Sequence, residues 1–257
     1  MISPPAFLMR LPLLQRLIPS VFKRYAKVFK HRYLIERRMG VLYLIDQLNS
    51  VDRNLLIKGA WEPRQVKHLL ALISAQVRSG EPMLFLDIGS HGALYSMLVA
   101  QAQPGARIIA FEPDPTNLVQ LRANLFINGM LERIEVMDCA VGDAEGTIPF
   151  HQATDANRGT SRMTAISEAE RRRTIDVRVA RLDTLVSAKD SLLVMKIDIE
   201  GGEMLALQGM DGLFAQNRVL MQVESFGERA GEVKTYLEAK GFRLLETIDH
   251  DHFFLKS

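Results

Sequence analysis

The chain has 257 residues, of which 47% are hydrophobic, and this length suits one large α/β domain with a short appendage better than two equal domains. Cys139 is the only cysteine, which excludes an intramolecular disulfide and a cysteine-based zinc site. No apolar run approaches the roughly 20 residues needed to span a bilayer. A protein of the reducing cytoplasm is therefore expected.

Charge is unevenly distributed along the chain. The first forty residues hold nine Lys or Arg and one acid, Glu36, whereas the remainder holds 23 basic and 29 acidic residues. The mildly acidic main body predicts no nucleic-acid partner. Apolar residues recur at helical spacing over residues 21–38, which predicts an amphipathic basic helix. Either this helix packs across the domain, or residues 1–38 contact an anionic membrane surface or partner at the membrane periphery.

The α/β domain is predicted over residues 60–257, after a basic helical extension at 1–59. It begins with a helix at Trp61-Glu62-Pro63. Short apolar runs then predict strands buried on both faces of a parallel sheet, at residues 83–88, 107–111, 134–137, 192–197 and 219–223. Helical stretches alternate with them, at 94–103, 116–127, 203–214 and 228–240. This alternation predicts a Rossmann-like doubly wound α/β fold.

Two segments depart from that alternation. Residues 174–182 have the period-2 pattern of a half-exposed strand, and they follow a polar insertion at 151–173 that is expected to place a loop over the active site. The chain ends with two strand-like runs, 242–248 and 253–255, around a short turn. We predict a mostly parallel seven-stranded sheet that ends in an antiparallel hairpin.

Polar residues stand where the first two strands end, which is where doubly wound sheets bind ligands. The first strand leads into Asp87-Ile88-Gly89, and the second ends at Glu112, an acid that can accept hydrogen bonds from both ribose hydroxyls of an adenosine. A dinucleotide enzyme shares this ribose acid, but the G-x-G-x-x-G pattern is missing here. Asp87 would repel a diphosphate, whereas it suits the cationic amino group of a methionine moiety. Taken alone, Asp87 or Gly89 is more simply a strand end or a tight turn.

Three charged residues follow one another at period 2 on the fourth strand, namely Lys196, Asp198 and Glu200, so their side chains share one face. Charges in a buried strand are costly unless they are paired or functional. One interpretation is a structural Lys196–Asp198 ion pair, with Glu200 capping the next helix through Gly201. The other, which we favour, is a catalytic group centred on Asp198. Glu224 and His151 are weaker candidates for the same role.

These strand ends resemble FkbM-type methyltransferases, and the resemblance covers about residues 60–255. The matching motifs are Phe85-Leu-Asp-Ile-Gly-Ser-His91, Tyr95-Ser96, Ala110-Phe-Glu-Pro-Asp114, Leu121-Arg-Ala-Asn-Leu-Phe-Ile-Asn-Gly129, Ala140-Val-Gly-Asp143, Asn157 with Gly159 and Ser161, Leu182-Asp-Thr-Leu185 and Met195-Lys-Ile-Asp-Ile-Glu-Gly-Gly-Glu203. The resemblance implies a class I methyltransferase that uses S-adenosylmethionine. It also implies an oxygen acceptor in a sugar, a glycan or a small secondary metabolite.

The resemblance assigns residues to the cofactor. Glu112 is expected to bind the ribose, and three further positions, Gly89, His91 and Ser96, are expected around the methionine end. Residues 138–140 should border the adenine, with Asp138 accepting from its exocyclic amine, Ala140 beside it, and Cys139 in a packing role. The sequence departs from the family at Ala93, where a second glycine is usual. The Ala93 methyl is expected to crowd the cofactor, unless Gly92 re-routes the loop.

Methyl transfer to oxygen requires alignment of the acceptor and removal of its proton, by a general base or by a hard cation. Asp198 suits either role, although nothing in the sequence supports the Mg²⁺ site that the second would need. The six histidines have no zinc-site spacing, so no metal site is predicted. Two other functions compete: a catalytically inactive S-adenosylmethionine-binding module, which would not require charges at 196, 198 and 200, and a nicotinamide-dependent oxidoreductase, which the glycine pattern disfavours.

Overall fold

The structure is a computed structural model that describes residues 32–153, 158–161 and 173–257, together with Arg24. Its elements, in chain order, are β1 (Tyr33–Arg38), β2 (Val41–Asp46), α1 (Ser50–Lys58), α2 (Pro63–Gln76), β3 (Met83–Ile88), α3 (Leu94–Ala102), β4 (Arg107–Phe111), α4 (Pro115–Ile127), β5 (Glu135–Met137), β6 (Ala140–Val141), β7 (Gly146–His151), β8 (Thr174–Ala180), α5 (Leu182–Leu185), β9 (Leu192–Ile197), α6 (Glu203–Gln208), α7 (Asp211–Gln216), β10 (Arg218–Glu224), α8 (Glu228–Ala239), β11 (Arg243–Ile248) and β12 (Asp251–Lys256). A short 3-10 turn, Arg158–Thr160, lies between β7 and β8.

Seven strands form the main sheet, in the order β11-β12-β10-β9-β3-β4-β5. The strands from β10 to β5 pair in parallel, whereas β12 runs antiparallel to both of its neighbours. The predicted seven-stranded, mostly parallel sheet with an antiparallel C-terminal hairpin is confirmed. Strand order reverses between β3 and β9, because β4 and β5 extend the sheet to one side and β10 to the other. Ligands of doubly wound folds bind at the carboxyl ends of the strands beside such a switch point.

The central strands are apolar along their whole length because both of their faces are covered. On one face, Phe85 of β3 packs in a cluster with Ile73 and Met97 from the helices. On the other face, Leu86 packs in a cluster with Phe214 and its neighbours. Burial of each such side chain stabilises the fold by about 1.5–3 kcal/mol, so the two clusters hold the strand ends rigidly in register.

The predicted basic helix over residues 21–38 is wrong for its last part. Residues 33–38 form β1, which pairs antiparallel with β2 from Tyr33 opposite Asp46 to Arg38 opposite Val41. Met39 and Gly40 connect the strands, and both have positive φ, at 49° and 92°. A two-residue loop of that conformation matches the twist of a hairpin. Of the other predicted helical residues, only Arg24, which is helical, and Arg32, which is not, lie in the described part of the chain.

The hairpin β1–β2 and α1 belong to the same hydrophobic core as α2 and α3. Tyr43, Ile45 and Leu55 are buried in that cluster. The edge of β2 is tied to α4, since the Leu44 amide donates to Asn124 Oδ1 at 2.7 Å. The described part of the predicted extension therefore shares its core with the α/β domain.

Residues 203–214, predicted as one helix, form two, α6 and α7. The break falls at Gly209, where an added Cβ would lie 3.0 Å from the Gly142 carbonyl carbon and closer still to its oxygen, so this approach requires glycine. Beyond the break, Asp183 accepts from the amides of Gly212 and Leu213 and caps the second helix. The predicted strand at 174–182 is confirmed as β8, the centre of a three-stranded sheet with β6 and β7. Within the described ranges, no helix is both long and apolar enough to cross a bilayer.

Candidate active site

A cavity of about 300 Å³ lies at the carboxyl edge of the main sheet. Its floor comes from the ends of the parallel strands: Asp87, Gly89, His91, Glu112, Cys139, Ala140, Lys196, Asp198, Glu200 and Glu224. Its roof comes from segments outside the sheet: Tyr43, Val51, Leu55, Trp61, Glu62, Arg158, Gly159 and Ser161. The structure thus brings together most of the predicted site residues and adds a roof that was not predicted, apart from the loop of the polar insertion.

Gly89 begins the glycine loop, residues 89–93, at the switch point. Its φ is +82°, and an added Cβ would lie 2.9 Å from the Asp198 carbonyl carbon and closer still to its oxygen. The backbones that leave β3 and β9 therefore approach each other so closely that only glycine fits. This approach brings the ends of the two strands to one side of the cavity.

Glu112 is the predicted ribose ligand, and it lies buried on the cavity floor. Its carboxylate accepts from the His91 amide at 2.8 Å and from the Asp114 amide at 2.9 Å. These bonds fix the side chain and leave acceptor capacity towards the cavity, because a carboxylate has about four lone-pair sites. Burial raises the pKa of Glu112 to about 7, against the opposing effect of the two amides.

Two buried polar atoms beside Glu112 have no hydrogen-bond partner among the described residues. They are His91 Nε2 and Asn117 Oδ1, and both residues line the cavity. Burial and the charge of Arg158 lower the pKa of His91 to about 4, so its ring is neutral. Buried polar atoms are rarely left unpaired, and these two suit the hydroxyls and amines of a bound nucleoside.

A row of three polar side chains crosses the sheet beneath the cavity. Asp87 of β3 pairs with Lys196 of β9, and Lys196 pairs with Gln222 of β10. Helix α3 covers the row: Ser96 Oγ donates to Asp87 at 2.6 Å, and the Tyr95 ring lies 4.7 Å from Lys196 Nζ. Burial raises the pKa of Asp87, and Lys196 and Ser96 oppose that rise.

Lys196 and Asp198 form an ion pair, with Nζ and Oδ2 2.7 Å apart. Burial lowers the pKa of Lys196, but the negative charges of Asp198 and Glu62 raise it by more. The lysine pKa is therefore held above its usual range. Asp198 also hydrogen-bonds to Glu224. Burial and the Asp198 charge raise the pKa of Glu224, whereas Lys196 keeps the pKa of Asp198 low against its own burial. Glu224 therefore carries the proton of this pair, and Asp198 is ionised.

The ion pair of the structural interpretation is confirmed, and the catalytic interpretation of the charged trio stays a prediction. The Lys196–Asp198 pair exists, and all three residues line the cavity. The Gly201 amide, through which Glu200 was expected to cap the next helix, donates to Glu203, at 2.6 Å. Glu200 has a φ of +52°, so the strand geometry ends before it.

Three predicted residues lie outside the cavity lining. Ser96 is fully buried behind Asp87 and positions it, rather than facing a ligand. Asp138 is exposed after β5, and its neighbours Cys139 and Ala140 line the cavity instead. His151 bonds to Thr174 Oγ1 at 2.8 Å on the small sheet, and it is not among the residues that line the cavity.

The expected crowding by Ala93 is also wrong. Ala93 is completely buried in the hydrophobic core rather than in the cavity lining. It begins α3 in a left-handed conformation, with φ at 61°, which glycine adopts with less strain than alanine. This backbone strain lowers the stability of the fold by about 1 kcal/mol. It does not reduce the space for a ligand.

A buried charged network holds the roof. Arg158 donates to Asp46 Oδ2 and to Gln120 Oε1, both at 2.6 Å. Gln120 in turn donates to Asp52 at 2.7 Å. The four residues join the polar insertion, the hairpin, α1 and α4. Sequence reasoning missed them because they are separated by up to 112 positions.

Metal ligands do not converge in the described ranges. No group of three or more His, Cys, Asp or Glu side chains there has the geometry to hold a metal ion. The Mg²⁺ considered for Asp198 therefore gains no support from this part of the chain.

Comparison with known proteins identifies the family. The model of the methyltransferase FkbM domain matches residues 87–244, which is more than half of the chain. The matched stretch contains Glu112, Lys196, Asp198 and Glu224, and it begins at Asp87. The hairpin and α1 lie outside it.

Curated relatives are distant methyltransferases. Methyltransferase sdnD of Sordaria araneosa is 25% identical over 188 residues, covering 61% of this chain and 72% of its own. The 31-O-demethyl-FK506 methyltransferase FkbM of Streptomyces tacrolimicus is 24% identical and covers 68% of this chain and 77% of its own. The 2-O-methyltransferase NoeI of Sinorhizobium fredii is 29% identical over 94 residues, 37% of each chain.

Among solved structures, the human methyltransferase 10 domain containing protein superposes with a TM-score of 0.50 at 11% identity. The match covers 92% of this chain and 95% of that chain. At this identity the likeness shows the fold, that of a class I methyltransferase.

Proposed function

Because the chain belongs to the FkbM methyltransferase family, we propose that it transfers the methyl group of S-adenosylmethionine to a hydroxyl oxygen of a sugar, a glycan or a small secondary metabolite. One observation carries the proposal. A buried ribose-type acid, Glu112, and an ionised carboxylate, Asp198, line one cavity at the switch point of the sheet. The first suits the cofactor, and the second suits an acceptor.

The residues present fit the cofactor. Glu112 and Asn117 offer acceptors to a ribose, and the apolar residues near Ala140 offer a surface to an adenine. Also in the cavity, Asp87 supplies negative charge towards a cationic methionine group, and Lys196 supplies positive charge towards its carboxylate. When bound, S-adenosylmethionine supplies a methyl group on a sulfonium sulfur that is already activated towards an oxygen nucleophile.

Asp198 is the group we assign to the acceptor proton. Its pKa is held low, so it is ionised at neutral pH. A weak base suffices here, because a hydroxyl proton becomes strongly acidic as the oxygen gains a methyl group. Lys196 holds one Asp198 oxygen at 2.7 Å, and the protonated Glu224 donates to the same carboxylate. These two bonds orient Asp198 without removing its charge.

Support for an oxygen acceptor comes from the relatives, two of which carry O-methyltransferase names. The cavity supports a hydroxyl acceptor too, because Asp198, Glu200 and Glu62 line it. Carboxylates bind hydroxyl groups by accepting their hydrogens.

The experiment is a methyl-transfer assay with isotopically labelled S-adenosylmethionine against a panel of sugars, glycans and small hydroxylated metabolites. The product is read by mass spectrometry for the gain of one methyl group and its position. We expect methylation at oxygen. Labelled transfer only to nitrogen or carbon would contradict the oxygen assignment, and cofactor binding without transfer to any member would favour an inactive binding module.

A further inference from the structure

Gly92 is required by space rather than by backbone conformation. Unlike Gly89 of the same loop, Gly92 does not have a positive φ. An added Cβ at Gly92 would overlap the Tyr43 hydroxyl and lie 2.6 Å from Tyr43 Cζ. Real Cβ atoms do not approach other atoms so closely, so either the ring or the loop would have to move.

A second contact ties the same two segments. Asn124, completely buried in α4, donates from Nδ2 to the Gly92 carbonyl at 2.9 Å. Its Oδ1 accepts from the Leu44 amide, the next residue after Tyr43, at 2.7 Å. One side chain thus fixes the spacing between the hairpin and the glycine loop.

Tyr43 reaches this position from outside the family match, which begins at residue 87. Its side chain is 3% exposed, and it lines the cavity together with Gly92. The glycine loop also carries the His91 amide that fixes Glu112. A shift of the glycine loop would therefore also move the ribose acid, Glu112.

We infer that Tyr43 of the N-terminal hairpin is a positioning residue for the cofactor, acting by packing against Gly92 and so setting the glycine loop. The inference rests on the proposed function, because it requires that the cavity binds S-adenosylmethionine or its product. It assigns the hairpin to the cofactor site, beyond the stretch that the family match defines. It also accounts for the glycine at position 92, since a larger residue there would displace this tyrosine.

The test is a double-mutant cycle on S-adenosylhomocysteine binding, measured by calorimetry. Gly92→Ala should weaken binding roughly tenfold or more through overpacking. Tyr43→Leu should weaken it by roughly fivefold through loss of an aromatic contact. In the double variant, Tyr43→Leu removes the ring atoms and the hydroxyl that would overlap the methyl group added by Gly92→Ala. Its affinity should therefore return to within about threefold of Tyr43→Leu alone.

Two matched controls separate positioning from general damage. Gly231→Ala adds a methyl group that meets open space in α8, and Tyr33→Leu replaces an exposed tyrosine of the same hairpin. Both should bind as the wild type does. Thermal unfolding of each variant shows whether a loss of affinity follows a loss of stability.

The inference is overturned if Gly92→Ala binds as tightly as the wild type, or if the double variant binds no better than Gly92→Ala. If Gly92→Ala does not fold, the comparison of Tyr43→Leu with Tyr33→Leu decides, and equal affinities overturn the inference. A wild type that binds no S-adenosylhomocysteine would instead overturn the proposed function, and the inference with it. The two failures are therefore distinguishable.

Discussion

The floor and the roof of the cavity are built in different ways. The floor consists of short segments at the ends of parallel strands, held by a sheet whose strands are buried on both faces. The roof consists of a hairpin, a helix, the Trp61-Glu62 segment and a four-residue stretch of the polar insertion. The hairpin and the helix pack into the hydrophobic core, and buried polar contacts join them to the insertion. A ligand between them contacts both.

This difference indicates that the floor and the roof have different roles in the site. The sheet fixes Glu112 and Asp198 in place at the ends of its strands, so we propose that the chemistry belongs to the floor. The roof is held by side-chain contacts that single substitutions remove, so its contribution is to enclose and position the ligand. Substitutions in the floor should therefore remove turnover, and substitutions in the roof should change binding or stability.

The largest effect is expected at the floor. Asp198→Asn should lower turnover by roughly 10²–10⁴-fold, because the proton acceptor is lost and the shape is kept. Affinity for S-adenosylhomocysteine should change little, and Glu200→Gln should cost less turnover than Asp198→Asn. Activity of the wild type should be indifferent to EDTA and to added Mg²⁺. A fully active Asp198→Asn enzyme would move the catalytic role to Glu224.

At the roof, Arg158→Met should lower the free energy of unfolding by about 3 kcal/mol. This is the lower end of the range for a broken buried ion pair, because Arg32 still contacts Asp46. The measurement is urea denaturation at neutral pH. The matched control is Arg107→Met, whose exposed pair with Glu135 should be worth under about 1 kcal/mol. Equal losses in the two variants would show that the buried network does not hold the roof.

A smaller effect is expected from pH. Glu112 has a pKa raised to about 7 by burial, and its ionised form is the better acceptor for ribose hydroxyls. Below pH 7 binding must first remove the proton, so affinity for S-adenosylhomocysteine should rise up to about tenfold between pH 6 and pH 8 and then level off. His91 stays neutral over this range. Calorimetry on Glu112→Gln should give a much flatter profile, and the same slope in both would assign the titration elsewhere.

The smallest effect on the site is expected from removal of residues 1–31, which leaves Arg32 and the hairpin intact. Affinity for S-adenosylhomocysteine should not change. We propose that the six Lys and Arg residues of this segment favour anionic surfaces, so the deletion should reduce flotation with anionic vesicles, most visibly at low salt. Equal flotation of the two proteins would contradict a membrane role for the segment.

The floor could be predicted from the sequence, and the roof for the most part could not. Apolar runs indicated the strands, and polar residues at their ends indicated Asp87, Glu112 and Asp198, because strand-end position is a local signal. The roof depends on partners distant in sequence, such as Asp46 and Arg158. The first strand of the hairpin, residues 33–38, was mistaken for the end of a helix because Tyr33 continues the helical spacing of the apolar residues before it. Its Met39-Gly40 turn was the local signal that was missed.

The central claim, that this cavity binds S-adenosylmethionine, is tested most directly by calorimetric titration of the wild type and Glu112→Ala with S-adenosylmethionine, S-adenosylhomocysteine and NAD. We predict that the wild type binds the first two and not NAD. Loss of the buried acceptor in Glu112→Ala should weaken that binding by roughly 1–3 kcal/mol. Affinity for S-adenosylmethionine that is unchanged in Glu112→Ala, or a wild type that prefers NAD, would contradict the account.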